Sequence, residues 1–215
     1  MPKSNFTIKL VTPKRVINSR ISTAIANHLN TRIPRTRSML EQKAQILLLK
    51  HLNSSQETMA LLSGELRSEL GIPNPSSEVT RIFEALAASV SVQVNRATKK
   101  GDRGISMSIR LTAVPFDLKS ITSGMGVYNT EKGVSIPWFE WLTTLGDRII
   151  VRDYQIEGGH PESSRTGDAI MVKGKGWRVP PSFAGSENNN FVTRATDRSL
   201  PELGKSIETI IKATV

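Results

Sequence analysis

Residues 89–114, SVSVQVNRATKKGDRGISMSIRLTAV, constrain the fold more than any other stretch of the chain. Val90, Val92 and Val94 alternate before the turn KKGDRG, and Ile105, Met107, Ile109 and Leu111 alternate after it. Alternation at period two on both sides of a glycine-rich, charged turn is the pattern of an antiparallel hairpin with one buried face. Most of the chain before it repeats at helical spacing, so the architecture changes from helices to strands near residue 89.

Upstream, NFTIKLV alternates Phe6, Ile8 and Leu10 and predicts a short strand. Thr12-Pro13 has the form of an N-cap followed by proline at the first helical position. Val16, Ile17, Ile21, Ala24, Ile25 and Leu29 then recur at helical spacing, and NTRIPRTRS predicts a break. A second helix is expected from Ser38 to His51, with Leu40, Ala44, Leu47 and Leu48 as its apolar stripe. Ser54 and Glu57 form a capping-box pattern that opens a helix through ETMALLSGELRSEL, stopped at Gly71. The turn IPNPSSE carries a further cap, before a helix from Ser77 to Ala88 with Val79, Ile82, Phe83 and Leu86 on one face.

Downstream, GVYNTEKGVSI predicts a second hairpin, and IPWFEWLTTLG a short helix starting at Pro137 and ending near Gly146. DRIIVRDYQI and DAIMVKG predict two more strands joined by EGGHPESSRTG. The polar segment SFAGSENNNFVTRAT, residues 182–196, separates them from a closing helix. Ser199 is its expected N-cap, Pro201 and Glu202 its first turn, and Leu203, Ile207, Ile210 and Ile211 its buried stripe. The order predicts an α+β fold: N-terminal helices, an antiparallel sheet built from hairpins, and a C-terminal helix packed on the sheet. The expected division is a basic N-terminal strand and helical arm, residues 1–53, and a core domain, residues 54–215.

The net charge of +10 is unevenly distributed. Residues 1–50 hold ten Lys/Arg and one Asp/Glu, whereas residues 51–100 and 101–150 balance five against five, and residues 151–215 nine against eight. A basic quarter beside neutral remainder points to an acidic partner, either nucleic acid or a negatively charged protein surface; the alternative is a solvated basic face. Lys14, Arg15, Arg20, Arg32, Arg35 and Arg37 are the candidates for that contact.

Catalytic patterns are missing. There is no cysteine, which excludes disulfides, thiolate metal sites and a thiol nucleophile and fits a reducing cytosol. His28, His51 and His160 lack the spacing of metal ligands. GDAIMVKGKGW has the wrong spacing for a phosphate loop, and SSRTG is no nucleophile elbow. The first residues lack the apolar run of a signal peptide, and no stretch is apolar enough to span a membrane. Phe6 is the single aromatic of residues 1–50, so a base-stacking platform is not expected there. The expectation is a protein without enzyme activity, metal or cofactor. Trp138, Phe139 and Trp141 fall within four residues and serve either the core or a subunit contact. Trp177, Phe183, Phe191 and Arg194 are further interface candidates.

Four segments carry a resemblance. IPWFEWLTTLGDRIIVRDYQI, SSRTGDAIMV, GWRVPPSFAGSENNNFVTRAT and LPELGKSIETIIKATV, with LLSGELRSELGI upstream, resemble the tail-completion and head–tail joining (neck) proteins of long-tailed bacteriophages, most nearly the tail-terminator type. The matching ending is an aromatic-Gly-Ser turn at Phe183 to Ser186, a Phe-x-x-Arg-Ala segment at Phe191 to Ala195, and a closing helix. The resemblance covers roughly residues 60 to 215; the basic stretch before residue 50 departs from the short form of the family. It implies a subunit of a homo-oligomeric ring around the DNA channel, made in the host cytoplasm and placed in the virion between head connector and tail tube. The alternatives are another phage tail or baseplate component, or a basic protein that binds nucleic acid without sequence preference.

Overall fold

The computed structural model describes residues 12–101, 104–112, 118–131 and 133–214. The strand expected around Phe6 to Leu10 lies outside the described residues. The first element is a single 40-residue helix, α1 (Lys14–Asn53), where the sequence predicts two helices separated by a break. Pro34 sits inside it. An interior proline removes one hydrogen bond and costs about 3 kcal/mol, but packing on both sides of it holds the helix together. Leu40, Ala44, Leu47, Leu48 and Leu52 on its second half are all buried, against the closing helix, and Thr36 Oγ1 bonds back to the Arg32 carbonyl at 3.1 Å. The second half of α1 is therefore part of the core, and the division expected at residue 53 does not coincide with the edge of the core.

Two short helices follow, α2 (Gln56–Ser63) and α3 (Glu65–Leu70), where the sequence suggested one. The cap of α2 is Ser55 rather than Ser54: its side chain accepts from the Thr58 N–H at 3.2 Å. The chain is extended at Gly64, between them, and Gly71, left-handed at φ 61°, ends α3 as expected. α4 (Ser76–Ala88) buries Val79, Ile82, Phe83 and Leu86, and starts behind Pro75 without a side-chain cap.

The main hairpin forms as a twisted ribbon in two ladders. β1 (Ser91–Val94) pairs with β4 (Ile109–Thr112), and β2 (Thr98–Lys100) with β3 (Gly104–Ser106). Between the ladders three residues, 95–97, oppose two, 107–108, which is a bulge that turns the tip of the ribbon. After the short α5 (Leu118–Ile121) come the hairpin β5 (Tyr128–Asn129) and β6 (Ser135–Ile136), then α6 (Trp138–Thr144). β7 (Tyr154–Gly158) pairs with β8 (Ala169–Lys173), with Ile156 opposite Met171. Ile149 and Ile150 are not in this strand; Val151 makes only an isolated bridge to Trp177. The class is α+β as expected, with the strands arranged as four two-stranded antiparallel ladders.

The chain closes with α7 (Phe191–Thr214), which begins eight residues before the expected cap at Ser199. Its cap is Asn190, whose Oδ1 accepts from the N–H groups of Val192 and Thr193 at 3.0 and 3.1 Å. Ser199 is buried inside the helix, donating to the Ala195 carbonyl at 2.7 Å, and Pro201 is an interior proline. The apolar positions Phe191, Val192, Ala195, Leu203 and Ile210, all buried, carry the helix through it. α7 runs back along α1: Glu202 accepts from Lys50 Nζ at 2.9 Å and contacts His51 Nε2 at 2.8 Å.

Candidate polyanion-facing lobe

The first half of α1 leaves the core and lies along the ribbon. Two side chains fasten it there. Asn30 Oδ1 accepts from the Ala97 N–H at 2.7 Å, and its Nδ2 donates to the Ala97 carbonyl at 3.1 Å. Lys99 Nζ donates to Ser19 Oγ at 2.6 Å. Ser22 and Ala26, both small, are the buried positions of this stretch, which lets helix and strand backbones approach.

This packing concentrates charge. Lys14, Arg15, Arg20, Arg32, Arg35 and Arg37 come from α1, and Arg96, Lys99, Lys100 and Arg110 from the ribbon. No acidic residue occurs among the described residues of 12–40 and 91–112; Asp102 and Arg103 lie outside them. All ten cations except the half-buried Arg32 are exposed. Arg37 is partly neutralised by Glu41, 3.0 Å away on the next turn. Glu41 also accepts from the Val92 N–H at 3.1 Å, and this bond, followed by Arg37, holds its carboxyl below the ordinary value. Arg32 Nε is buried without an acceptor. The ribbon cations were missed by windows of fifty residues, in which they cancel acids that fold elsewhere, on α2, α3 and α4. The dense run RATKKGDRG was the available signal.

The aromatic candidates divide. Trp138, Phe139, Phe183 and Phe191 are buried inside the chain and offer no surface for an outside contact. Phe191 meets Phe83 at 6.3 Å and Phe139 at 6.0 Å, the latter edge-on, so α4, α6 and α7 are joined by rings. The core reading of these residues is the one the packing supports. Arg194 is also internal in function: its guanidinium pairs with the buried Glu57 and bonds Asn189 Oδ1 at 2.9 Å.

Half-buried Trp141 and buried Trp177 meet at 5.7 Å with their planes tilted by 54°, and both wall an open cleft of 690 Å³ between α3, α6 and the hairpins β5–β6 and β7–β8. Ile136, Ile150, Ile156 and Met171 line it further. Its rim is exposed and apolar, with Val134 58% and Met171 42% accessible. Glu69 enters it, accepting from Trp177 Nε1 at 2.9 Å. Burial, and then the neighbouring Glu65, push the Glu69 carboxyl above its ordinary value against the opposing effect of that bond. Arg165, at the same cleft, stands over the Tyr128 ring at 5.4 Å.

Among the described residues no three His, Asp or Glu side chains are grouped to hold a metal. The His160 imidazole lies 3.4 Å from Glu157. Among the described residues no helix is long and apolar enough to cross a membrane. No family model, curated protein or solved structure matches the chain.

Proposed function

We propose that the chain is a structural subunit, without enzyme activity, of a bacteriophage neck. In this reading copies form a ring that completes or terminates the tail and joins it to the head connector, with the basic lobe turned toward the DNA that passes through. The observation that carries the reading is the segregation of charge: ten cations on one lobe, of which Arg37 is paired with Glu41, beside a neutral core. Such a lobe neutralises phosphates without reading bases, since it holds no aromatic platform among its described residues. The resemblance at the Phe183–Ser186 turn and the Phe191–Ala195 segment supplies the virion setting.

The test combines imaging with salt-dependent DNA binding. Negative-stain images of the purified protein should show closed rings. Binding to random-sequence duplex DNA should fall by ~10³ or more between about 50 and 200 mM salt, if about six or more phosphates are contacted. Replacing Arg32, Arg35 and Arg37 together with Gln should reduce DNA retention and leave head–tail joining intact. Failed joining with unchanged DNA binding would move the lobe to an acidic protein partner.

The same lobe favours a second reading, a sequence-independent nucleic-acid-associated protein outside any virion. A monomer that binds DNA and never forms rings supports that reading against the first.

A further inference from the structure

The arm carries a second feature that its cations do not explain. Ile17, Ile21 and Ile25 lie at spacings of four along one side of α1, and Lys14 joins the same side one turn earlier. Its centre lies roughly 120° around the helix from that of Ser22 and Ala26, the positions buried toward the ribbon. Ile21 is 52% and Ile25 45% accessible. Ile17 is half-buried, so the uncovered apolar strip is Ile21 with Ile25, about 6 Å long at 1.5 Å per residue, with cations around it and no described acid.

The Trp141–Trp177 cleft is the converse surface. It is apolar, open and rimmed by exposed Val134 and Met171. Its two acids, Glu69 and Glu131, have no cationic partner among the described residues, and its one cation, Arg165, is engaged with Tyr128. A volume of 690 Å³ admits several aliphatic side chains and excludes a whole helix.

We propose that the exposed Ile21–Ile25 strip of one copy docks into the Trp141–Trp177 cleft of the next, with the cations of the arm beside Glu69 and Glu131. The argument is charge complementarity between two uncovered apolar surfaces of one chain. When one stripe meets one cleft the contact is head-to-tail and leaves a free stripe and a free cleft at the two ends of the pair; when both stripes meet both clefts the pair closes as a two-fold dimer. Repetition of the head-to-tail contact gives a ring when the rotation closes and a filament when it does not. The contact is small, so one copy holds the next weakly, and closure is what makes the assembly persist. The contact itself does not require the virion setting; it rests on the reading above only for closure into a ring.

The absence of cysteine makes the test direct. Ile21→Cys and Met171→Cys are prepared separately, mixed at high protein concentration and oxidised. The expected product is a disulfide between the two variants, with neither variant linking to itself. Self-linking of Ile21→Cys without the mixed product would overturn the proposal in favour of stripe-to-stripe pairing. No linking, together with a monomeric mass by light scattering at every concentration, would overturn it outright. An Ile21→Ser/Ile25→Ser chain with unchanged circular dichroism should show reduced assembly mass; unchanged mass would count against the contact. Linked copies that form filaments keep the contact and refute the ring.

Discussion

The side chain of Asn30 pairs with the backbone of Ala97 as a neighbouring strand would, taking its N–H and giving to its carbonyl. Ala97 is buried, so both groups need those bonds. Asn30→Leu should cost about 2–3 kcal/mol, because it leaves a buried donor and acceptor unmet. Urea unfolding measures the loss, and faster hydrogen exchange at the Ala97 amide locates it. A change within experimental error would show that the ribbon is held by other contacts.

Asn190 performs two tasks, and substitution separates them. Its Oδ1 caps α7, while its Nδ2 donates to the carbonyls of Thr143 at 3.2 Å and Ser186 at 2.9 Å. Gly185 lies so close that a Cβ there would come within 2.6 Å of the Asn190 Cβ. Asn190→Ala should lose the cap and the donor, while Asn190→Asp keeps the cap but sets a buried carboxylate oxygen against the Thr143 and Ser186 carbonyls and should be at least as destabilising. An Asn190→Asp thermal midpoint equal to that of the wild type would show that the Nδ2 bonds do not hold the turn.

The Arg194–Glu57 pair joins α7 to α2, with Glu57 buried and Arg194 about a third exposed. Arg194→Ala strands the Glu57 carboxylate and should cost about 2–3 kcal/mol, below the cost for a fully enclosed pair because water reaches the arginine. Adding Glu57→Gln should recover part of it. A double-mutant cycle with no coupling between the two positions would contradict this account.

Glu41 predicts a pH dependence of known sign. Its carboxyl is held below the ordinary 4.5 by the Val92 N–H and by Arg37, with burial opposing. The stability it contributes is complete above the ordinary value and is lost as pH falls through the lowered one. Glu202, held down first by Lys50, acts in the same direction from the surface. Urea midpoints of the wild type should therefore fall at acid pH, and more steeply than those of Glu41→Gln. Parallel curves would show that Glu41 is not linked to folding.

The helical stripe Leu40, Ala44, Leu47 and Leu48 was legible because the period of a buried face is written directly in residue order. The hairpins were legible for the same reason. Pro34 and Pro201 were misread as boundaries because their local penalty is visible in sequence, while the α1–α7 packing that overrides it is not. Asn190 was concealed in a run of three asparagines, of which one alone is fully buried. The cleft was illegible for a different reason: Glu69, Trp141 and Trp177 come from three segments, and only folding brings them together.

The ring nitrogen of Pro34 has no hydrogen to give to the carbonyl of Asn30, one turn earlier. The weakest turn of α1 is therefore the turn whose side chain grips Ala97. The ribbon acts as a splint across a notch in a beam: it stiffens the arm at the one place where the helix cannot stiffen itself. A load on the arm is borne there by the Asn30–Ala97 clasp. Releasing that clasp would convert a rigid lever into a jointed one without unfolding either half.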